Sequence, residues 1–156
     1  MHLKSILKSS NVFIAILFIL ITSSTIYLTR IKWFTPFIPV PIEITPTAFW
    51  KAYQDHPDQY LFIDVRSKET YDTTHARGAI NDPIGNLSDD QFYLPKSGKT
   101  IVLICTTGRL AAVAYGYLEH QGFLNVLHVQ GGLRQWIEEG MPVEGTDLHA
   151  PLPSHD

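Results

Sequence analysis

Cysteine is the scarcest reactive residue in this chain of 156 residues, because Cys105 is the only one. A single cysteine excludes an internal disulfide framework and cannot by itself form a zinc site built on cysteine ligands. The seven histidines show no spacing typical of metal ligands, and no Walker phosphate-binding pattern is present. The sequence therefore predicts neither a metal site nor any other cofactor.

Acidic residues are absent from the first 42 positions, where the basic residues are Lys4, Lys8, Arg30 and Lys32. The chain from Glu43 onward holds eight basic residues against fifteen acidic ones, a net charge of −7. Domains that bind nucleic acid carry a basic surface, so this balance argues against nucleic acid as a partner. The hydrophobic content of 45% is sufficient for a packed core.

Charge of either sign is absent from residues 9–29. At about 1.5 Å per residue, this run can cross a hydrocarbon core of about 30 Å. We therefore expect residues 1–34 to form a transmembrane anchor that meets the membrane through residues 9–29. A signal peptide is the alternative, although the segment has no Ala-x-Ala cleavage site. Basic residues flank both ends, and the amino-terminal pair weakly favours a periplasmic or other extracytoplasmic domain.

The rest of the chain divides into three parts. Prolines punctuate residues 35–42, which we interpret as an extended connector. Short apolar runs alternate with helical patterns over residues 43–145. Such alternation predicts an α/β fold with a mostly parallel central sheet and helices on both faces. The polar residues 146–156 are predicted to form a flexible tail.

The most informative stretch places Cys105 directly after the apolar run Ile101–Ile104 and before a helical pattern that starts at Arg109. It predicts a thiol between the carboxyl end of a strand and the amino end of a helix. Unpaired backbone N–H groups and the positive end of the helix dipole meet there, which favours a thiolate or another anion. The alternative is a small buried hydrophobic side chain, because free cysteines are often part of a core.

Four motifs, in a fixed order, resemble those of single-domain rhodaneses, which are sulfurtransferases. They are Leu61–Arg66, His75–Asn81, Cys105–Leu110, and Gly131–Trp136 followed by Gly140–Val143. The resemblance covers roughly residues 43–145. Two positions depart from the family pattern. Arg77 stands where proline is usual, and the loop arginine is Arg109, whereas many members carry it one position later, at Leu110 in this chain.

The resemblance implies a rhodanese-like fold and a thiosulfate-type sulfurtransferase in which Cys105 is the catalytic nucleophile and carries a persulfide. Backbone N–H groups, hydroxyls and one positive charge around the sulfur would bind the substrate. The residues expected to supply them are Thr106, Thr107, Gly108, Arg109 and Leu110. The expected partners are a small anionic sulfur donor and a sulfur acceptor, which is cyanide, a small thiol or a thioredoxin-like protein.

Three residues near this site are expected to be structural. Asp64 and Arg66 resemble the structural pair of the family, and His75 is expected to fix its loop rather than act as a base. Two other functions stay open. A rhodanese-like module could bind protein, or carry a persulfide, for a membrane partner. A cysteine phosphatase or arsenate reductase would need arginine six residues after the cysteine, where this chain has Ala111.

Overall fold

The computed structural model describes residues 14–27, 42–90 and 93–153. The chain divides into two compact units, Met1–Ile38 and Pro39–Asp156. In the first unit, residues 14–27 form a helix, α1. Within the described ranges, none of the helices combines the length and the apolar character that a membrane crossing requires, so the predicted anchor is not supported. The rest of that anchor and residues 35–41 of the connector lie outside the described residues.

The second unit alternates strands and helices. Its strands are β1 (Glu43–Ile44), β2 (Tyr60–Asp64), β3 (His75–Ala76), β4 (Ile80–Asn81), β5 (Thr100–Ile104), β6 (Val126–Val129) and β7 (Val143–Glu144). Its helices are α2 (Pro46–Asp55), α3 (Lys68–Thr73), α4 (Leu87–Asp90), α5 (Arg109–His120) and α6 (Gly132–Glu138), with a 3₁₀ turn at Pro57–Gln59.

The central sheet has the strand order β1-β6-β5-β2-β4, and all of its described pairings are parallel. Strand β5 lies in the middle, with Ile104 in register with Asp64 of β2. The mostly parallel α/β sheet predicted from the sequence is therefore confirmed. Strands β3 and β7 form a separate antiparallel pair. The apolar pattern does not predict this pair, because each strand is only two residues long.

Side chains that alternate along β2 and β5 build one core on each face of the sheet. Ile63 and Leu103 pack on the face that α5 covers. Phe62 and Ile104 pack on the opposite face, with buried residues of α2 and α6. Helices thus cover both faces, as predicted. Since both faces are buried, the strands read as continuous apolar runs rather than as alternating patterns.

Local signals in the sequence set the ends of the elements. The Thr45 hydroxyl accepts a hydrogen bond from the Ala48 N–H at 3.3 Å and caps α2, with Pro46 in its first turn. After β7, the chain runs along the end of α3, where the Thr146 N–H donates to the Asp72 carbonyl at 3.0 Å. Leu152 packs against the core beneath α2 and α6. These contacts involve residues predicted to form a flexible tail.

Candidate active site

Cys105 lies where the sequence predicts it, directly after β5 and four residues before α5, which starts at Arg109. It is completely buried. Gly108, the cap residue directly before α5, has a φ of +90°, a left-handed conformation that residues other than glycine resist. The four-residue loop can therefore turn sharply from the strand into the helix, as the sequence predicts for Gly108.

Two backbone N–H groups point at the Cys105 sulfur. The N–H of Gly108 donates to Sγ at 3.1 Å, and the N–H of Ala111 donates to it at 3.4 Å. The sequence predicts that the amides from Thr106 to Leu110 face the sulfur, and the structure shows this for Gly108. The Ala111 amide lies one residue beyond that range. Hydrogen bonds from backbone amides stabilise a sulfur anion more than a neutral thiol.

The loop side chains differ in their exposure. Thr106 is buried, Thr107 and Leu110 are half-buried, and Arg109 is exposed. The buried Thr107 Oγ1 has no hydrogen-bond partner among the described residues. The apolar Leu110 side chain packs partly against the core under α5.

The amino end of α6 contacts this loop, a contact that the sequence pattern does not predict. The N–H of Leu133 donates to the Cys105 carbonyl at 2.7 Å, and the N–H of Arg134 donates to the Thr106 carbonyl at 3.0 Å. The turn before α6 is Gly131-Gly132, with both φ values positive. This glycine pair is the signal in the sequence that could have identified the contact, since adjacent glycines often allow two backbones to approach closely.

Asp64 and Arg66 form a buried ion pair with almost no exposure. Asp64 accepts hydrogen bonds from Arg66 Nε at 2.9 Å and from Arg66 Nη2 at 2.6 Å, and Nη2 also donates to the Thr74 carbonyl at 2.7 Å. Asn81 donates to the carbonyls of both residues. The pair therefore connects the ends of β2, α3 and β4, an arrangement suited to a structural role.

His75 lies in β3 rather than in a loop. Its Nδ1 is 2.8 Å from the Tyr71 carbonyl oxygen, and its ring stacks on the Tyr71 ring with centroids 3.8 Å apart. The Tyr71 hydroxyl donates to the Ala79 carbonyl at 2.6 Å, and burial raises the pKa of Tyr71. These contacts hold His75 among structural neighbours.

Two other groups near the sheet have pKa values that are shifted by burial. Burial lowers the pKa of His128 on β6, although Glu43, at 3.5 Å from its Nε2, partly offsets this. Burial raises the pKa of Asp82 to about 6, and the nearby Asp90 carboxylate adds to the effect. No three of the described histidine, cysteine, aspartate and glutamate side chains lie close enough to hold a metal ion.

The family model of the rhodanese-like domain matches residues 45–139, a span that includes the Cys105 loop and the Gly131-Gly132 turn. The chain belongs to the rhodanese-like domain family. Solved structures agree with this assignment. A rhodanese-related protein from Thermoplasma volcanium is 30% identical, with a TM-score of 0.57 over 66% of this chain and 97% of the other. The rhodanese-like domain of an Anabaena protein is 26% identical, with a TM-score of 0.61 over 73% of this chain and 87% of the other.

The names of similar curated proteins give an activity other than the sulfurtransferase expected from the sequence motifs. The tRNA uridine(34) hydroxylase of Photorhabdus laumondii is 34% identical over 98 residues, and that of Yersinia enterocolitica is 34% identical over 100 residues. These matches cover 57% and 58% of this chain. They span only 28% of the length of each relative. The similarity therefore involves one segment of each relative, and most of each relative has no counterpart in the match.

Proposed function

We propose that this protein is a sulfurtransferase that moves sulfane sulfur from a thiosulfate-like or persulfide donor to a thiol or cyanide through a persulfide on Cys105. The observation that supports this proposal most strongly is the pair of N–H groups, from Gly108 and Ala111, that donate to Sγ. A sulfur held by two backbone donors at a helix amino end is suited to carry negative charge in the thiolate and in the persulfide.

In the first step, the Cys105 thiolate attacks the outer sulfur of the donor. With thiosulfate, an S–S bond forms to Sγ while the S–S bond of the donor breaks, and sulfite leaves with the bonding electron pair. The products are an enzyme persulfide anion and sulfite, so the total charge is conserved. The step as written starts from the thiolate form of Cys105, so it assigns no general base.

In the second step, an acceptor removes the outer sulfur. A thiolate or cyanide attacks it, the S–S bond to Sγ breaks, and the Cys105 thiolate is regenerated. The acceptor leaves as a persulfide or as thiocyanate. Because the donor product departs before the acceptor reacts, the two half-reactions follow ping-pong kinetics.

Access to the sulfur is a requirement of this mechanism. Cys105 is completely buried, so a donor reaches Sγ only after neighbouring side chains shift. The exposed Arg109 side chain would attract anionic donors to the loop before that shift. Thr106, Thr107 and Leu110 complete the proposed substrate-binding loop.

The direct test is the intact mass of the full-length protein before and after incubation with thiosulfate. We expect a gain of one sulfur, about 32 Da, that cyanide or a thiol removes. The variant Cys105→Ser should fold with unchanged thermal stability within a few degrees and gain no mass. Sulfur transfer retained by Cys105→Ser would refute the proposed nucleophile. No gain from any sulfur donor would instead favour the protein-binding module.

The names of the curated relatives do not change this proposal. They describe proteins that act on a tRNA uridine, and the match spans 28% of their length. Residues 43–156 of this chain carry a net charge of −7, which disfavours binding to RNA by this domain. We therefore propose that the domain supplies sulfur chemistry without binding nucleic acid itself.

We also propose that residues 9–29 attach the protein to a membrane, with the rhodanese-like domain outside the cytoplasm. Two observations on α1 support attachment. Most of its side chains are apolar and at least half exposed, for example Phe18 and Ile19. The Thr22 and Thr25 hydroxyls donate to carbonyls one turn earlier, so they need no water. Fractionation of cells that express the full chain or a variant without residues 1–34 tests attachment, and protease access to the domain tests its side.

A further inference from the structure

The turn before α6 lies directly against the backbone of the cysteine loop. A Cβ atom at Gly132 would overlap the Cys105 carbonyl oxygen and would lie 2.7 Å from the Gly108 nitrogen and 2.8 Å from the Thr106 carbonyl carbon. All three neighbours are backbone atoms, so none can move aside as a flexible side chain would. Gly132 also has a φ of +61°. The position is therefore closed to any other residue unless the loop itself shifts.

One of these three neighbours is part of the sulfur site. The Gly108 nitrogen that would meet the added Cβ is the donor that lies 3.1 Å from Cys105 Sγ. A side chain at Gly132 would thus displace the group that stabilises charge on the sulfur. The space left by the missing side chain is what allows α6 to pack behind that donor.

Hydrogen bonds from α6 fix the orientation of the loop peptides. The Leu133 and Arg134 N–H groups hold the carbonyls of Cys105 and Thr106, at 2.7 and 3.0 Å. In a trans peptide the carbonyl and the following N–H point in opposite directions, so these two bonds also fix the directions of the Thr106 and Thr107 amides. The two peptides that lead into the Gly108 donor are therefore oriented before any substrate arrives, and Gly132 packs directly against the Gly108 nitrogen. Orientation in advance is the condition under which amide dipoles stabilise developing charge most effectively.

We propose that Gly132 is a positioning residue for sulfur transfer: it lets the amino end of α6 hold the Cys105 loop so that the Gly108 amide points at Sγ. This inference rests on the proposed role of Cys105 as the nucleophile. It assigns a function in the reaction to a residue that touches neither donor nor acceptor.

The test compares Gly132→Ala with Gly140→Ala in the full-length protein. Gly140 has a similar φ of +74°, but an added Cβ there would meet nothing within 4 Å. The control therefore reproduces the backbone strain without the contact with the loop. For each variant, we would measure the rate of Cys105 alkylation by iodoacetamide against pH, the kcat and KM for thiosulfate, and the thermal unfolding midpoint.

We expect Gly132→Ala to move the midpoint of the alkylation profile upward by about one pH unit, the effect of losing one hydrogen bond to a charged group. Its kcat should fall about tenfold or more, with a smaller change in KM. Gly140→Ala should lose a few degrees of thermal stability and keep the wild-type profile and kcat. A folded Gly132→Ala variant with the wild-type midpoint and kcat would overturn the inference.

A second measurement covers the case in which Gly132→Ala does not fold. In the wild-type protein, the amide NMR signals of Gly108, Leu133 and Arg134 should shift together as Cys105 titrates, with the midpoint found by alkylation. Constant Leu133 and Arg134 signals would overturn the inference. Neither alkylation nor NMR needs a sulfur donor. A wild-type protein that gains no sulfur, yet shows the expected effect of Gly132→Ala, would refute the sulfur transfer and leave the positioning intact.

Discussion

Replacing Asp64 with alanine should cost much of the stability of the domain while sparing the chemistry of Cys105. Asp64 is completely buried, and its partner Arg66 is 2% exposed. The carboxylate accepts hydrogen bonds from the Arg66 backbone N–H, from Nε and from Nη2. In Asp64→Ala, all of these donors lose their acceptor, and the buried guanidinium is left without its counter-charge.

The expected loss follows from that geometry. Removing one member of a buried ion pair costs about 3–5 kcal/mol, because the remaining charge is left without compensation. The Arg66 guanidinium would keep its bond to the Thr74 carbonyl, but its Nη1 already has no hydrogen-bond partner among the described residues. For a domain of this size, about 4 °C of thermal midpoint corresponds to each kcal/mol. Asp64→Ala should therefore unfold about 12–20 °C below the wild type.

The assay is thermal and urea unfolding of the full-length protein, combined with persulfide formation measured well below the unfolding midpoint. The control is the double variant Asp64→Leu with Arg66→Met, which removes both charges and fills the space with apolar atoms. Replacement of a buried pair by packed apolar side chains is often neutral, so the double variant should recover at least half of the loss. Both variants should form the persulfide at close to the wild-type rate while folded.

Two results would refute this reasoning. A loss of less than about 1 kcal/mol in Asp64→Ala would show that water or another group compensates the Arg66 charge. A variant that is stable but forms no persulfide would show that Asp64 acts in the chemistry rather than in the fold.

Three further predictions concern charge and pH. Arg109→Ala should raise KM up to about fivefold for anionic donors, as expected for an exposed charge, and should not change KM for neutral persulfides. An equal rise in KM for both kinds of donor would exclude recognition of the donor's charge by Arg109. The depressed pKa of His128 means that the unfolded chain binds its proton more readily, so this residue should reduce stability as pH falls below about 6.5. From pH 7.5 to pH 5.5, the free energy of unfolding measured with urea should fall less for His128→Leu than for the wild type. An equal fall in the two proteins would contradict the lowered pKa of His128. Because the pKa of Asp82 is raised to about 6, its contribution to folding stability is greatest in acid and is lost as the pH rises through 6. Asp82→Asn should therefore stabilise the protein at pH 7 and have little effect at pH 4, whereas equal stabilisation at both values would argue against a charge effect.

The part of the site that is local in sequence could be predicted. An apolar run, a cysteine, a glycine and a helical pattern follow one another from Ile101 to Tyr117, and each signal acts on its immediate neighbours. The structure places a strand, a buried thiol, a left-handed Gly108 and α5 in that order. Short-range stereochemistry is enough to fix such an arrangement, since it does not depend on what packs behind the loop.

The part of the site formed by distant segments could not be predicted in the same way. The bonds from Leu133 and Arg134 to the loop join residues 28 positions apart, and both use backbone groups that every residue carries. No side-chain type reveals them. The β3–β7 pair is similar, because it joins His75 to Glu144 through two-residue strands. The Gly131-Gly132 pair is the one sequence signal of the contact between α6 and the loop. A glycine pair alone does not show which segment of backbone packs against it.

The groups that stabilise the fold lie apart from the groups that we propose to handle sulfur. Because side chains alternate along β2, Asp64 lies on the face of Phe62, with α2 and α6, whereas Cys105 belongs to the core under α5. The sulfur is contacted by backbone amides, so substitutions of the loop side chains do not remove these two hydrogen-bond donors. Gly132 is the exception. It belongs to the helix that covers the Phe62 face, yet it limits the position of the Gly108 donor. Substitutions on that face should therefore affect stability alone, unless they move the turn at Gly132 and, with it, the amide that faces the sulfur.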